Sequence, residues 1–195
     1  MNNIKEILAY NEQFVENREY EKYLTNRFPD KKMVLVTCMD ARLTELLPKA
    51  LNLRNGDAKI IKNAGAIVTQ PFGNIMRSIL IATYELGADE VVVIGHYDCG
   101  MTGLNPDSVI HHMLESGVTE ETITTLRNSG MHLERWLTGF DSVQESVERS
   151  VSIISNHPLL SATTPVHGLI IHPETGKLDL VVDGYEALKL KNKAK

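Results

Sequence analysis

Two cysteines, one tryptophan and no apolar run longer than five residues set the first limits on this 195-residue chain. Two thiols cannot build a disulfide framework for a chain of this size, and a reducing compartment disfavours a bridge between them. The short apolar runs fall far below the roughly 20 residues that a membrane-spanning helix needs, so no membrane partner is expected. Positive charge is also scarce, with 20 Lys and Arg against 25 Asp and Glu and a formal charge of −5. Phosphate-backbone binding rests on clustered Lys and Arg, so nucleic acid is excluded as the main partner. The basic tail KLKNKAK is the only local cluster. The opening MNNIKEILAYNEQF carries acidic residues early and no apolar run before a small-residue cleavage site. It does not read as a signal peptide, and a cytoplasmic location is the expectation.

What is present is enough to fold. Apolar residues make up 43% of the chain, which supports a sizeable core and argues against wholesale disorder. Residues 2 to 27 space Ile4, Ile7, Leu8, Phe14, Val15, Tyr20, Tyr23 and Leu24 among charges, a pattern for helix with one or two breaks. After Pro29 and Asp30, the Val-rich run MVLVT reads as a buried strand, LTELLPKAL as a short helix and AKIIK as a second strand. Residues 72 to 86 repeat apolar groups at helical steps and end before Gly87, a C-cap signal. VVVIG follows as the strongest buried strand. This alternation is that of a mostly parallel sheet covered on both faces, an α/β fold. Further helices are expected from Pro106, over TEETITTLRNS and over SVQESVERSVSIISNH. VHGLIIH and LDLVVD, joined by PETGK, predict a hairpin that supplies an antiparallel edge.

Chemistry-bearing residues gather where these strands end. Cys38 follows MVLVT, and His96 and Cys99 follow VVVIG. In an open α/β sheet, residues just past the carboxyl ends of parallel strands converge on a crevice, so these three can meet. Two thiolates and an imidazole suit zinc at about 2.0 to 2.3 Å per ligand. With no third cysteine, the fourth position falls to water, substrate or a carboxylate, and Asp40 is the carboxylate at hand. Asp40 and Arg42 lie on one side of an extended segment, where Arg42 can grip the carboxylate through two parallel hydrogen bonds and favour its charged form. An ion pair that merely steadies the loop is the plainer role for the two. Bound zinc lowers the pKa of water to near 7 on three-histidine sites. Two thiolates donate more charge and leave such water less acidic, unless N–H donors from Gly100 and the backbone after Cys99 relieve the sulfurs.

VTCMDAR, IKNAGA and VVVIGHYDCGMTG together resemble the β-class carbonic anhydrases, whose pattern is Cys-x-Asp-x-Arg followed downstream by His-x-x-Cys. The match is close over residues 30 to 104 and extends in layout to the whole chain, implying one domain over residues 1 to 195. The resemblance implies Zn2+ held by Cys38, His96 and Cys99, with Asp40 and Arg42 as the catalytic pair. It also implies a closed state in which Asp40 becomes the fourth metal ligand. The implied reaction is reversible hydration of carbon dioxide to bicarbonate and a proton. The implied assembly is a homodimer or a higher oligomer, with residues 1 to 30 as a helical dimerisation arm on a core of residues 31 to 195. Two alternatives share these residues: hydrolysis of carbon disulfide or carbonyl sulfide, and a non-catalytic zinc- or bicarbonate-binding regulatory module. Relatives with an inhibitory bicarbonate pocket use an Arg and a Trp where this chain has Lys62 and no Trp in MVLVT.

The neighbours divide more evenly. Gly65 in NAGA permits close backbone approach beside the cleft. Asp98 is placed either to orient His96 or relay a proton, or simply to cap its loop. Tyr97 is expected to pack beneath the site, and Trp136 and Leu133 to pack rather than bind substrate. A free imidazole titrates near neutrality, which makes His111 and His112 candidates for proton exit, though their helical segment favours a surface role.

Overall fold

The computed structural model describes residues 2–193, so the last two residues of the basic tail lie outside it. Five strands form one sheet in the order β2-β1-β3-β4-β5. They are β1 (Met33–Cys38), β2 (Ala58–Asn63), β3 (Glu90–His96), β4 (Val166–Ile171) and β5 (Leu178–Val182). The first four run parallel and β5 pairs antiparallel to β4, as the hairpin pattern predicts. No helix among the described residues is long and apolar enough to cross a membrane.

Alternation along each strand decides which helices cover which face. Val34, Val36, Val91 and Val93 point to one side, where they pack with α3 (Asn74–Tyr84) and α7 (Val143–Ser155) through Met76, Ile79, Val147, Val151 and Ile154. Leu35, Val92, Ile94 and Ile171 point to the other, against Leu43 and Leu47 of α2 (Leu43–Ala50). Burial on both faces is why β1 and β3 read as continuous apolar runs rather than as alternating ones. Gly95 lets α7 sit close on β3, since a Cβ there would stand 2.8 Å from the methyls of Val143 and Val147. The helices α4 (Pro106–Glu115), α5 (Glu120–Asn128) and α6 (Leu133–Leu137) pack on each other through Ile110, Ile123 and Leu133. Leu133 is buried there as expected, but Trp136 is 67% exposed and packs into no core cluster, because the short helix α6 turns it outward.

The basic tail, read from sequence as a charged end, is mostly the helix α8 (Gly184–Lys193). Its start is tied down: Gly184 N–H donates to Nδ1 of buried His167, and Tyr185 Oη donates to Glu90. At the other terminus, α1 (Asn3–Glu16) is capped by the Asn2 side chain and buries none of its residues.

The chain leaves β1 towards β2 on one side and reaches β3 on the other. The sheet's direction of winding therefore reverses between β1 and β3. Side chains past the carboxyl ends of these two strands face a common crevice, the place where open α/β sheets hold ligands. β1 ends in Cys38 and β3 in His96.

Candidate metal centre

Cys38 and His96 are placed by neighbouring strands in fixed register, with Thr37 opposite Ile94. Cys99 arrives through the loop after β3, whose turn closes with Thr102 N–H on Cys99 O at 2.9 Å. The two sulfurs lie 3.9 Å apart. One ligand atom from each of Cys38, His96 and Cys99 falls within 4.8 Å of the others, and all three residues are buried. Two zinc–sulfur bonds of about 2.3 Å at the tetrahedral angle would place their sulfurs about 3.8 Å apart, so the observed separation suits one shared ion.

The imidazole is set to offer a lone pair. His96 Nδ1 lies 2.8 Å from the carbonyl of Tyr97, an acceptor, so Nδ1 carries the proton. Nε2 is then the bare nitrogen, and it is buried with no hydrogen-bond partner. A buried unpartnered acceptor is costly, and a metal at this point removes the cost. The donor set and its spacing fit a divalent ion such as zinc.

Asp40 sits beside the cluster and outside it. Its Oδ2 is 3.8 Å from His96 Nε2. Three donors of Arg42 hold the carboxylate: main-chain N–H at 2.9 Å and Nε at 3.1 Å on Oδ1, and Nη2 at 2.8 Å on Oδ2. This two-residue step makes an Asx-type turn that also brings the guanidinium edge-on. The Arg42 side chain holds the Asp40 carboxyl down to about 2, against some opposing burial. Asp40 reciprocally raises the Arg42 guanidinium above its ordinary range, with Asp98 adding to it.

The two thiols are not equivalent. Burial opposes ionisation of Cys38, but attraction to the His96 ring whenever that ring is protonated, together with N–H groups of Asp40 and Gly65, outweighs it and lowers the thiol. Gly65 N–H donates to Cys38 Sγ at 3.4 Å. Burial raises Cys99, the neighbouring Cys38 and Asp40 raise it further, and the Met101 N–H only partly offsets this. The N–H donors to sulfur therefore come from Asp40, Gly65 and Met101, not from Gly100, because the turn after Cys99 aims the next amide but one at the sulfur.

Gly65 earns its place by geometry. Its φ is +76°, and a Cβ would lie 2.9 Å from Ile67 and from Phe140. Asn63 closes the same loop, accepting from Ile67 N–H at 3.1 Å and donating to Ile67 O at 2.7 Å. Phe140 and Met101 pack against the cluster that contains Cys38 and Cys99. Neither stood out in the sequence; they are brought in by a bridge between Thr102 and Phe140, far apart in the chain.

Other expectations need correction. Asp98 does not orient His96, whose Nδ1 is held by the Tyr97 carbonyl; it binds Arg42 instead. Tyr97 is not beneath the site, since it donates to Asp179 at 3.0 Å on the sheet's edge strand. His111 and His112 lie on the exposed face of α4, His111 pairing with Glu115 at 3.4 Å, as a surface role requires.

Against known proteins, the sequence model of the carbonic anhydrase family matches residues 33–178. The chain belongs to the β-class carbonic anhydrase family. Within the family, it is 57% identical over 192 residues to YvdA of Bacillus subtilis, a protein named only provisionally as a carbonic anhydrase, with 98% of each chain covered. The β-carbonic anhydrase isoform I of Trichomonas vaginalis superposes with a TM-score of 0.86 at 34% identity, covering 95% of this chain and all of that one. A carbon disulfide hydrolase from Saccharolobus solfataricus is 31% identical over 161 residues, 76% of each chain.

Proposed function

We propose that this protein is a zinc-dependent carbonate dehydratase that interconverts carbon dioxide and water with bicarbonate and a proton. The observation that carries the proposal is the buried donor cluster of Cys38, His96 and Cys99, with His96 Nε2 bare and Asp40 beside it. Those three residues would hold the ion. When bound, zinc supplies Lewis-acid activation of water at near-neutral pH.

The chain's own residues do the rest. Asp40, kept ionised by Arg42, accepts a hydrogen bond from the attacking water and aims it at the carbon of carbon dioxide. As the new C–O bond forms, one O–H bond breaks and its proton leaves the site. Arg42 keeps Asp40 from drifting, and the apolar wall of Met101 and Phe140 limits competing water around a small apolar substrate. Asp40 turned towards Arg42 rather than into the cluster favours an enzyme over a permanently closed regulatory module.

Stopped-flow hydration of carbon dioxide tests this with zinc-loaded wild type, Cys38→Ser and Asp40→Ala. Turnover is expected in wild type only with zinc bound. Asp40→Ala should keep its zinc and lose on the order of 10²-fold in rate, the lower range for a missing proton-handling group. Wild-type turnover equal to buffer at full zinc occupancy would count against the proposal. The likeness to a carbon disulfide hydrolase makes sulfide release from carbon disulfide the parallel assay: sulfide without carbon dioxide turnover would reassign the substrate.

A further inference from the structure

A guanidinium offers five N–H donors in one plane, arranged along edges that each suit a pair of oxygens. Arg42 uses two of those edges. Nε and Nη2 meet the Asp40 carboxylate at 3.1 and 2.8 Å. Nη1 donates to Asp98 Oδ2 at 2.8 Å, while Nη2 also donates to the main-chain oxygen of Asp98 at 2.9 Å. Four of the five donors are thereby engaged, and Nη2 is shared between the two partners.

Asp98 sits between His96 and Cys99 with a φ of +53°, a left-handed conformation that Asp and Asn tolerate better than most residues. In that conformation, its carboxylate and its own carbonyl both reach Arg42. We propose that Asp98 is a positioning residue, holding the second edge of Arg42 so that the first edge fixes Asp40. The proposal rests on Asp40 and Arg42 being the reactive pair.

The physical case turns on what each grip restrains. A guanidinium held along one edge keeps freedom to tilt and slide with its carboxylate. Held along two adjacent edges, by groups from the loops after β1 and after β3, it is fixed relative to both. Those two loops leave the strands that end in Cys38 and His96, and the second carries Cys99, so the clamp ties Asp40 to the frame of the donor cluster. The Asp98 side chain is 83% exposed, so screening leaves the ion pair little weight in folding stability. Its consequence is alignment.

Two substitutions separate the roles. Asp98→Gly accepts the left-handed backbone freely and keeps the main-chain oxygen while deleting the carboxylate. Asp98→Asn keeps an oxygen acceptor without the charge. The first readout is guanidinium nitrogen NMR of metal-free protein, with Arg42→Lys used to assign the Arg42 signals. Wild type should show resolved, slowly rotating Nη groups; Asp98→Gly should average Nη1, and Asp98→Asn should restore it. The second readout is kcat for carbon dioxide with zinc content and thermal midpoint monitored. Asp98→Gly should lower kcat by about 10-fold, less than the roughly 100-fold cost of a 1 Å displacement, with Asp98→Asn recovering most of it. Wild-type-like guanidinium signals in Asp98→Gly, or averaged signals with unchanged kcat, would overturn the proposal. If zinc-loaded wild type lacks turnover, the functional reading fails, while the NMR still decides the clamp.

Discussion

The sulfurs of Cys38 and Cys99 stand 3.9 Å apart, both as free thiols, although 61 positions separate them in sequence. Two buried strands and one loop have to be in place for that spacing to exist, so metal affinity and folding should be linked. One zinc per chain is expected by elemental analysis. Cys99→Ser should weaken zinc by more than about 100-fold, beyond the range for losing an outer-sphere partner. Chelation of wild type should lower its thermal midpoint, since an ion bound only by the folded state stabilises it. A midpoint indifferent to chelator would mean that these three side chains do not share an ion.

In metal-free protein the two thiols should react in a fixed order. Cys38 is lowered below the ordinary thiol range and Cys99 raised above it, while both are similarly buried. The thiolate, which is the nucleophile, therefore forms first at Cys38. Iodoacetamide at about pH 8 should therefore modify Cys38 first, as read by peptide mass spectrometry, and bound zinc should suppress the modification. Equal labelling of the two would show that the Gly65 amide and His96 do not favour the Cys38 thiolate.

How much of this was legible in the chain follows from range. MVLVT and VVVIG announce buried strands because both faces of the sheet are covered, and Cys38, His96 and Cys99 announce themselves by standing where those strands stop. The hairpin of β4 and β5 was readable from its turn. What escaped depends on contacts no local pattern encodes. Phe140 reaches the site through a bridge to Thr102, and Asp98 turns away from His96, two residues before it, to a residue 56 positions earlier. The α8 helix was hidden because its charged run resembles a solvated tail; its anchor is the pairing of Gly184 with His167 and of Tyr185 with Glu90.

Asp40 should leave a signature in acid. Its folded-state pKa of about 2 lies below the ordinary carboxylate value of about 3.9, so its ion pair stabilises the fold fully above about pH 4. That contribution declines as pH falls and is gone once the folded carboxyl protonates, near pH 2. Arg42 is 41% exposed, so solvent screening keeps the total small. Urea unfolding of metal-free wild type and Asp40→Asn should show a small stability gap at neutral pH that closes across that window. A gap constant down to pH 2 would assign the difference to packing instead.

Gly65→Ala should damage the site out of proportion to its size. The residue holds φ at +76°, and the added methyl would meet Ile67 and Phe140 at 2.9 Å. Left-handed strain and overpacking together should cost about 1–3 kcal/mol. The amide that donates to Cys38 moves with the backbone, so the pH at which Cys38 becomes alkylated should rise in the same variant. Lost stability with an unchanged alkylation profile would separate the loop's structural role from its effect on the sulfur.

The N-terminal arm gives the last prediction. Along α1, Ile4, Ile7 and Leu8 are each at least 58% exposed, and Val15 is 53% exposed. They recur at helical steps along one stripe, and a helix of 14 residues with no buried side chain has little to stabilise it in water. An apolar stripe of this extent calls for a covering surface. We propose that a second copy of the chain supplies it, with residues 1 to 30 as the dimerisation arm. Ile4→Glu combined with Leu8→Glu should place two carboxylates in that contact and shift sedimentation from dimer towards monomer. The core should survive, because α1 contributes nothing to its buried clusters, and near-ultraviolet circular dichroism of Trp136 and the tyrosines outside the arm checks this. Unchanged sedimentation as a dimer would place the subunit contact elsewhere, and a wild-type monomer would leave the stripe without a partner of its own kind.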